Sequence, residues 1–319
     1  MIIPKKISLA QIPTPLEEIK FEGKNFLIKR DDLTGCELSG NKVRKLEYLL
    51  ADAKSKKADI IFTSGGDQSN QARTTVIDAR KIGLKTKLFL WGKETPNPNG
   101  NLFLDKVFGA DIQYFTKAEY EKVNDIMFEQ RLELLRKKKN AYVFPAGGST
   151  TLGIWGYINF INELKKQVDL SKIDSIVAAC GSGGTASGML VGAALNKLNI
   201  KIVAVHVLMT KKEMEKHILR LAEGCVLDYK LNCTINPNNL IVADGYSKEG
   251  YKKTSKTKIK LLKKFAQETG ILFDPAYTGK AFTAYYEKYL KTGKGKKNIF
   301  VHTGGLFAVF GRTKEYLSN

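Results

Sequence analysis

The sequence predicts an α/β protein of two domains, each an open, mostly parallel twisted sheet flanked by helices. Short β-branched runs alternate with helical patterns along the chain, the order expected of parallel sheets covered on both faces. The predicted strands are too many for one compact sheet. The 319 residues, 43% of them hydrophobic, are enough for two cores.

The predicted strands are apolar runs bounded by polar or glycine-rich turns, and the predicted helices carry apolar residues at helical spacing. The helix after the first strand, for example, has Ala72, Val76 and Ala79 on one face and Gly83 at its end. Strands are predicted at 58–64, 85–92, 110–115, 141–148, 174–180, 200–208, 239–244 and 298–303. Helices are predicted at 69–83, 101–109, 117–139, 151–166, 184–197, 211–223, 251–269 and 279–291.

The charge of the chain is strongly basic, with 52 Lys and Arg against 32 Asp and Glu and a net charge of +20. A basic nucleic-acid-binding protein is therefore one hypothesis. The lysines are scattered, however, and the dense clusters at 136–140 and 291–298 fall at expected helix ends and turns. These clusters lack the interleaved aromatic residues that stack bases. A lysine-rich solvated surface, with no nucleic-acid partner, is the favoured interpretation.

The cysteines predict neither a metal site nor a disulfide framework. The four cysteines, at 36, 180, 225 and 233, form no CxxC pair, and the three histidines are far apart in sequence. The chain also has no apolar run long enough for a signal peptide or a membrane span. We therefore expect a cytoplasmic protein with no membrane partner.

The stretch "VAACGSGGTASGML" at 177–190 predicts a phosphate site. An apolar strand leads into a turn with Gly181, Gly183 and Gly184, which lets the backbone approach a ligand closely. Ser182 and Thr185 add hydroxyl groups, and the first turn of the following helix has free N–H groups. A tight turn without a ligand is the alternative. The stretch also fits a dinucleotide fingerprint, but the next strand lacks the acidic residue that such sites require.

The sequence contains four further polar loops of this kind. In "TSGGDQSNQAR" (63–73), Ser69, Asn70 and Gln71 open a helix and could bind an anion or simply cap the helix. The other loops are "FPAGGSTTLG" (144–153), "DPAYTGKA" (274–281) and "VHTGGLFA" (301–308). Open α/β sheets bind ligands at the carboxyl ends of their strands, so five such loops together predict one ligand site.

These loops, with "KRDDLTGCELSGNKVRKLE" at 29–47, resemble one family over nearly the whole chain, from "PTPLE" (13–17) to "HTGG" (302–305). The sequence is similar to pyridoxal-phosphate (PLP) enzymes of the tryptophan-synthase-β fold type, called fold type II. Within them it resembles the branch of D-cysteine desulfhydrase and 1-aminocyclopropane-1-carboxylate (ACC) deaminase. The resemblance implies a homodimer whose small domain, 46–152, is inserted into a large PLP-binding domain of 1–45 and 153–319.

The resemblance also implies a role for each motif residue. Residues predicted to hold the cofactor are Lys42, as the Schiff-base lysine, its neighbour Asn41, Asn70 at O3′ of the cofactor, the phosphate loop Gly181, Ser182, Gly183, Gly184 and Thr185, and Thr278 facing the pyridine nitrogen. The substrate carboxylate is expected at Ser69, Asn70 and Gln71. Residues expected to take part in catalysis are Lys42, Ser69 and the two active-site tyrosines, Tyr246 and Tyr277.

The choice of substrate depends on positions where the two branch activities differ. Thr278 and Thr303 follow the desulfhydrase pattern, whereas Gln71 matches ACC deaminase. Asp67 occupies a position that is normally apolar. Because a threonine cannot keep the pyridine nitrogen protonated, we predict β-elimination from a D-amino acid such as D-cysteine. The alternatives are ACC deaminase and an L-cysteate sulfo-lyase.

Overall fold

The computed structural model describes residues 1–208, 210–246, 248–250 and 253–317. Within these residues, ten strands form two sheets. The strands are β1 (Leu16–Phe21), β2 (Lys24–Lys29), β3 (Ile60–Gly66), β4 (Lys85–Trp91), β5 (Asp111–Phe115), β6 (Ala141–Val143), β7 (Ser175–Cys180), β8 (Lys201–His206), β9 (Leu240–Ala243) and β10 (Asn298–Val301).

Twelve α-helices of the described chain cover the sheets. They are α1 (Lys42–Ser55), α2 (Asn70–Lys81), α3 (Gly100–Val107), α4 (Lys117–Tyr120), α5 (Val123–Arg136), α6 (Trp155–Leu164), α7 (Gly184–Leu195), α8 (Lys211–Asp228), α9 (Lys256–Thr269), α10 (Thr278–Tyr285), α11 (Leu306–Phe310) and α12 (Thr313–Leu317). No helix in this part of the chain has the length and apolar content that a membrane crossing requires.

The larger sheet has the strand order β1-β2-β10-β7-β8-β9, and the smaller has the order β5-β4-β3-β6. Every pair is parallel except β1 with β2. The predicted fold class, two mostly parallel sheets flanked by helices, is confirmed. The four strands of the smaller sheet lie within the predicted inserted segment, whose limits at 46 and 152 remain a prediction.

The hairpin of β1 and β2 was not predicted. Glu22 and Gly23 connect the strands in a two-residue turn with φ of 48° and 75°. Positive φ at both positions is the pattern whose twist matches a hairpin. The sequence signal was weak because the turn carries glutamate rather than the usual asparagine or aspartate before glycine.

Alternate residues of the central strands supply the two cores of the larger sheet. On β7, Ile176 packs against α6, α7 and α8, while the next residue, Val177, packs against α9 and α10. Phe265 of α9 and Phe282 of α10 have ring centroids 4.4 Å apart in the second core. Parallel strands covered on both faces explain why these strands read as continuous apolar runs.

Several predicted boundaries differ from those observed. The helix predicted at 117–139 is divided into α4 and α5. The helix predicted at 279–291 changes from α10 to a π-helical turn at Tyr286–Leu290. The helix predicted at 251–269 begins at Lys256, and its first two predicted residues, Tyr251 and Lys252, lie outside the described residues. Helix α1, which carries Lys42, had no predicted range.

Candidate active site

The five polar loops and Lys42 line a single cavity between the two sheets, with a volume of about 190 Å³. The polar loops contribute residues 41–42, Lys45, 65–66, 69–71, 146–147, 179–185, Tyr277 and 303–304 to its walls. The cavity thus lies at the carboxyl ends of strands from both sheets, where open α/β folds bind their ligands. This convergence was the main expectation from the sequence.

Lys42 reaches the cavity because the loop before it is fixed to the end of β10. Gly40 forms a β-bridge with Gly304, and the N–H of Asn41 donates to the carbonyl of Thr303 at 3.1 Å. Gly40 has φ of 125°, and a Cβ there would lie 2.8 Å from the Thr303 oxygen. Only glycine fits this close approach, which explains the "SGNK" sequence.

The Lys42 ammonium is partly buried and is oriented by its neighbour. Its Nζ donates to Oδ1 of Asn41 at 2.7 Å. Burial lowers the pKa of Lys42 to about 8, with a further lowering by the Arg73 charge and an opposing effect of Asp274. The amine is therefore substantially neutral at mildly alkaline pH and can act as a nucleophile or base.

The predicted phosphate loop forms the sharp turn between β7 and α7. Gly183 has φ of 80° and precedes the first residue of α7. Ser182 Oγ lies 2.8 Å from Ser149 Oγ, and a Cβ on Gly147 would collide with Ser182. Thr185 Oγ1 accepts a hydrogen bond from Asn41 Nδ2 at 3.0 Å. The N-terminus of α7 and its hydroxyl groups thus face Lys42 across the cavity, in the arrangement that binds an anion.

Lys45 is a cavity residue that the sequence analysis did not assign. It is buried, and its Nζ donates to the Gly147 carbonyl at 3.0 Å and to Ser149 Oγ at 3.3 Å. Both acceptors are neutral, so burial and the Lys42 charge lower the Lys45 pKa well below its usual value. The signal in the sequence was its spacing, because a lysine three residues after Lys42 lies on the same helical face.

The three residues expected to receive a carboxylate all line the cavity. Ser69 caps α2, since its Oγ accepts from the N–H of Ala72 at 3.1 Å. Asn70 Oδ1 accepts from Asn101 Nδ2 at 2.9 Å, which leaves the Asn70 amide protons for a ligand. Gln71 donates to Thr75, and its buried Oε1 has no hydrogen-bond donor among the described residues.

Tyr277 lines the cavity, whereas the next residue, Thr278, is buried and is not among the residues of the described lining. The Tyr277 ring lies against Gly181, where a Cβ would be 2.9 Å from its Cε1. The fully buried Thr278 hydroxyl donates to the Gly304 carbonyl at 2.9 Å and lies 3.1 Å from Thr303 Oγ1. The Asp274 carboxylate accepts hydrogen bonds from the N–H groups of residues 276–278, so it fixes the start of α10.

Tyr246 is not brought to the site. The described cavity lining does not include it, and its hydroxyl donates to Glu287 Oε2 at 2.9 Å on the surface. Its position does not support the expected catalytic role. Two other residues of the same stretch, Ser247 and Tyr251, lie outside the described residues.

Asp67, the unusual acidic residue, lines a separate outer cavity with Lys93 and Arg312. Its side chain contacts Gly92, where a Cβ would lie 3.2 Å from the Asp67 Cβ. This arrangement accommodates an acidic residue two positions before Ser69, because the carboxylate does not line the predicted anion site.

Four apolar or aromatic residues of the cavity wall were not predicted. They add apolar surface to the walls formed by the polar loops. These residues are Trp91, Tyr120, Cys180 and Leu208. Burial raises the pKa of the Cys180 thiol to about 11, so this cysteine is a neutral wall residue.

Comparison with known proteins agrees with this geometry. Residues 7–304 match the family model described as pyridoxal-phosphate dependent enzyme. A Thermotoga maritima protein provisionally named ACC deaminase is 39% identical, over 97% of this chain and 99% of the relative. An Arabidopsis thaliana mitochondrial protein named bifunctional D-cysteine desulfhydrase/ACC deaminase is 35% identical, over 98% of this chain and 80% of the relative. D-cysteine desulfhydrase of Salmonella paratyphi C is 31% identical, over 96% of this chain and 95% of the relative.

Solved structures give the same result. The crystal structure of an ACC deaminase homologue has a TM-score of 0.89 and 34% identity, covering 99% of this chain and 96% of that chain. Cystathionine β-synthase of Helicobacter pylori, at 16% identity and a TM-score of 0.64, shares the fold. The matching family model identifies pyridoxal phosphate as the cofactor, and two features of the cavity fit that molecule. The buried Lys45 amino group and the N-terminus of α7 suit its phosphate, and the Lys42 amine suits its aldehyde.

Proposed function

We propose, from the premise that the chain belongs to the family of pyridoxal-phosphate-dependent enzymes, that it is a lyase acting on a small D-amino acid. The proposed substrate is D-cysteine, which reacts with water to give pyruvate, ammonia and hydrogen sulfide. The observation that carries this choice is Thr278, a neutral hydroxyl at the position expected to face the pyridine nitrogen. When bound, the cofactor supplies an aldehyde for the substrate amine and an electron-poor ring that accepts charge from the α-carbon.

Lys42 is the proposed covalent anchor and the proposed base. Its pKa of about 8 gives a neutral fraction that can take the α-proton. The hydrogen bond to Asn41 fixes the direction of Nζ, and the same asparagine contacts Thr185 at the proposed phosphate site. One amide thus sets the separation between the reacting amine and the phosphate turn.

The start of α2 is the proposed site of the substrate carboxylate. The N–H groups of the first helical turn and the Ser69 hydroxyl offer hydrogen bonds to an anion. Asn70 is held by Asn101, so its amide is fixed before a ligand binds. The substrate side chain would then extend toward Tyr277, whose position suits it to orient the leaving thiol.

Thr278 favours elimination over ring opening. Its single hydroxyl proton is directed to the Gly304 carbonyl, and its neighbour Thr303 is also neutral. Neither group can hold a proton on a pyridine nitrogen as a carboxylate would. A departing thiolate takes up the electrons from the α-carbon, so β-elimination does not require a protonated ring. ACC has no such leaving group.

ACC deaminase is the second candidate, because curated relatives bear that name and Gln71 follows its pattern. The deciding experiment gives the purified enzyme D-cysteine, L-cysteate and ACC in parallel and identifies the keto acids by mass spectrometry. We expect pyruvate from D-cysteine and little or no 2-oxobutyrate from ACC. Efficient 2-oxobutyrate formation would overturn the assignment.

The resemblance further supports the proposal of a cytoplasmic homodimer. Light scattering of the purified protein measures its mass directly, and we expect twice the 35.5 kDa of one chain.

A further inference from the structure

Arg73 makes hydrogen bonds to both halves of the candidate site. It leaves α2 one turn after Asn70 and is completely buried. Its Nη1 donates to the carbonyls of Glu37 and Leu38, and its Nη2 donates to the Ser39 carbonyl at 3.0 Å. These three carbonyls belong to the loop that leads into Asn41 and Lys42.

The same guanidinium is linked to the predicted carboxylate site. Its Nε donates to Asn101 Oδ1 at 3.1 Å. The Asn101 amide in turn donates to the Gln68 carbonyl and to Asn70 Oδ1, both at 2.9 Å. Arg73 is therefore connected to Asn70 through one side chain, that of Asn101. It also bonds to the backbone of Ser39, which is three positions before Lys42.

The hydrogen bonds of Arg73 connect the two sheets. Helix α2 follows β3 of the smaller sheet, whereas residues 37–39 follow β2 of the larger sheet. Phe307 of α11, on the larger sheet's side, packs over the guanidinium with 5.0 Å between its ring centroid and Cζ. A displacement of one sheet relative to the other would break these contacts.

The charge of Arg73 is costly to bury here, because its hydrogen-bond acceptors are neutral. Burial lowers its pKa to about 10, and the nearby Asp105 and Asp78 partly oppose this effect. Both aspartates are buried, and no described residue donates to their carboxyl oxygens. A hydrophobic residue would fill the space at less cost if packing were the sole requirement.

We propose that Arg73 is a positioning residue that fixes the loop carrying Lys42 against the start of α2. The three carbonyl contacts hold Lys42, and the contact through Asn101 holds Asn70 at the matching distance. The proposal rests on the proposed function only in treating Lys42 and Asn70 as the cofactor and substrate residues.

Arg73→Gln, Arg73→Lys and Arg80→Gln test this proposal. Arg80 is the matched control, because it lies on the same helix and also donates to backbone carbonyls, those of Phe108 and Gly109, but on the surface. Two quantities are measured in each variant. The first is the pKa of Lys42 in the apoenzyme, from the pH dependence of its acylation and peptide mapping. The second is kcat/KM for whichever amino acid the wild type turns over.

Arg73→Gln should raise the Lys42 pKa, because a nearby positive charge is lost while Asp274, Cys180 and Lys45 remain. Its kcat/KM should fall about 100-fold through misplacement of the reacting groups. Arg73→Lys should leave the Lys42 pKa unchanged, since the charge remains. Its kcat/KM should still fall at least about tenfold, because one ammonium cannot reach three carbonyls and Asn101. Arg80→Gln should match the wild type in both.

A kcat/KM of Arg73→Lys equal to that of the wild type would overturn the proposal. If Arg73→Gln does not fold, the result for Arg73→Lys is sufficient for the test. A Lys42 pKa and kcat/KM in Arg73→Gln equal to those of Arg80→Gln would also overturn it. Failure of the proposed function has a different signature. The wild type would then produce no pyruvate from D-cysteine, while the effect of Arg73 on Lys42 would persist.

Discussion

Asn41 links Lys42 to the turn at the start of α7. Its Oδ1 accepts from Lys42 Nζ at 2.7 Å, and its Nδ2 donates to Thr185 Oγ1 at 3.0 Å. An amide can act as acceptor and donor at once, which an aspartate in this position could not do. The lysine and the proposed phosphate site are therefore held in one fixed relation by the residue that precedes the lysine.

Lys42 should react as an unusually acidic lysine. Because burial lowers its pKa to about 8, the neutral amine dominates above that pH and its acylation rate should fall about tenfold per unit below it. An ordinary lysine has its midpoint near pH 10.5. After borohydride reduction of the holoenzyme, peptide mapping should place the pyridoxyl mass on Lys42. A label on Lys45 would contradict the assignment.

Gly184→Ala should weaken pyridoxal phosphate binding without unfolding the protein. The added Cβ would lie 2.4 Å from Ser149 Oγ and 2.9 Å from Lys45 Nζ, and would disturb the groups proposed to hold the phosphate. Equilibrium dialysis measures the change in cofactor affinity, which should be about tenfold or more, or about 1.4 kcal/mol. Gly224→Ala on α8 is the control, since its Cβ would meet one methyl group at 3.2 Å.

Gly183 is less suitable for this test. It has φ of 80°, and its Cβ would point toward His217 of α8 rather than toward Lys45. A substitution there strains the backbone, so a loss of cofactor could not be separated from a loss of fold.

The parts of the site that could be predicted are those with short local signals. The turn at 181–185 and the start of α2 combine an apolar strand, glycine and a helix start, and both line the cavity. Lys45 was missed because its importance depends on Ser149 and Gly147, which are 104 and 102 residues away. Trp91 and Tyr120 were missed for the same reason, since an aromatic residue at a strand or helix end has no local mark of facing a ligand.

Ser69→Ala should reduce turnover while the cofactor remains bound. The hydroxyl is proposed to receive the substrate carboxylate, and it also caps α2, a contribution of about 1 kcal/mol to stability. Ser255→Ala removes an equivalent cap from α9, where Ser255 accepts from the N–H of Lys258. We expect similar losses in thermal stability for the two variants but a raised KM for Ser69→Ala alone. Equal kinetics in both would exclude Ser69 from substrate binding.

Tyr246→Phe should have little effect on kcat/KM, within about twofold, because the lost hydroxyl contacts Glu287 outside the cavity. Tyr277→Phe should lower kcat for D-cysteine by about tenfold or more if this hydroxyl assists the leaving thiol. The comparison of the two variants under identical conditions is the measurement. A large loss in Tyr246→Phe would show that this residue reaches the substrate during turnover.

Thr278→Glu should slow elimination from D-cysteine. If residue 278 faces the pyridine nitrogen as proposed, a carboxylate there would favour the protonated nitrogen and make the cofactor a stronger electron acceptor. Release of the thiolate should then compete less well with return of a proton to the α-carbon. Thr278→Ser keeps a hydroxyl next to Gly304 and Thr303 and serves as the control, with sulfide release near the wild-type rate.

The substitution need not create ACC deaminase activity, since the walls formed by Tyr277, Trp91 and Tyr120 must also fit the ring of ACC. The measurement is the ratio of sulfide release to exchange of the α-hydrogen with deuterium from the solvent. Exchange should rise relative to release in Thr278→Glu and stay constant in Thr278→Ser. If Thr278→Glu released sulfide at the wild-type rate with unchanged exchange, the charge state of the nitrogen would not control the outcome, and Thr278 could no longer support D-cysteine over ACC.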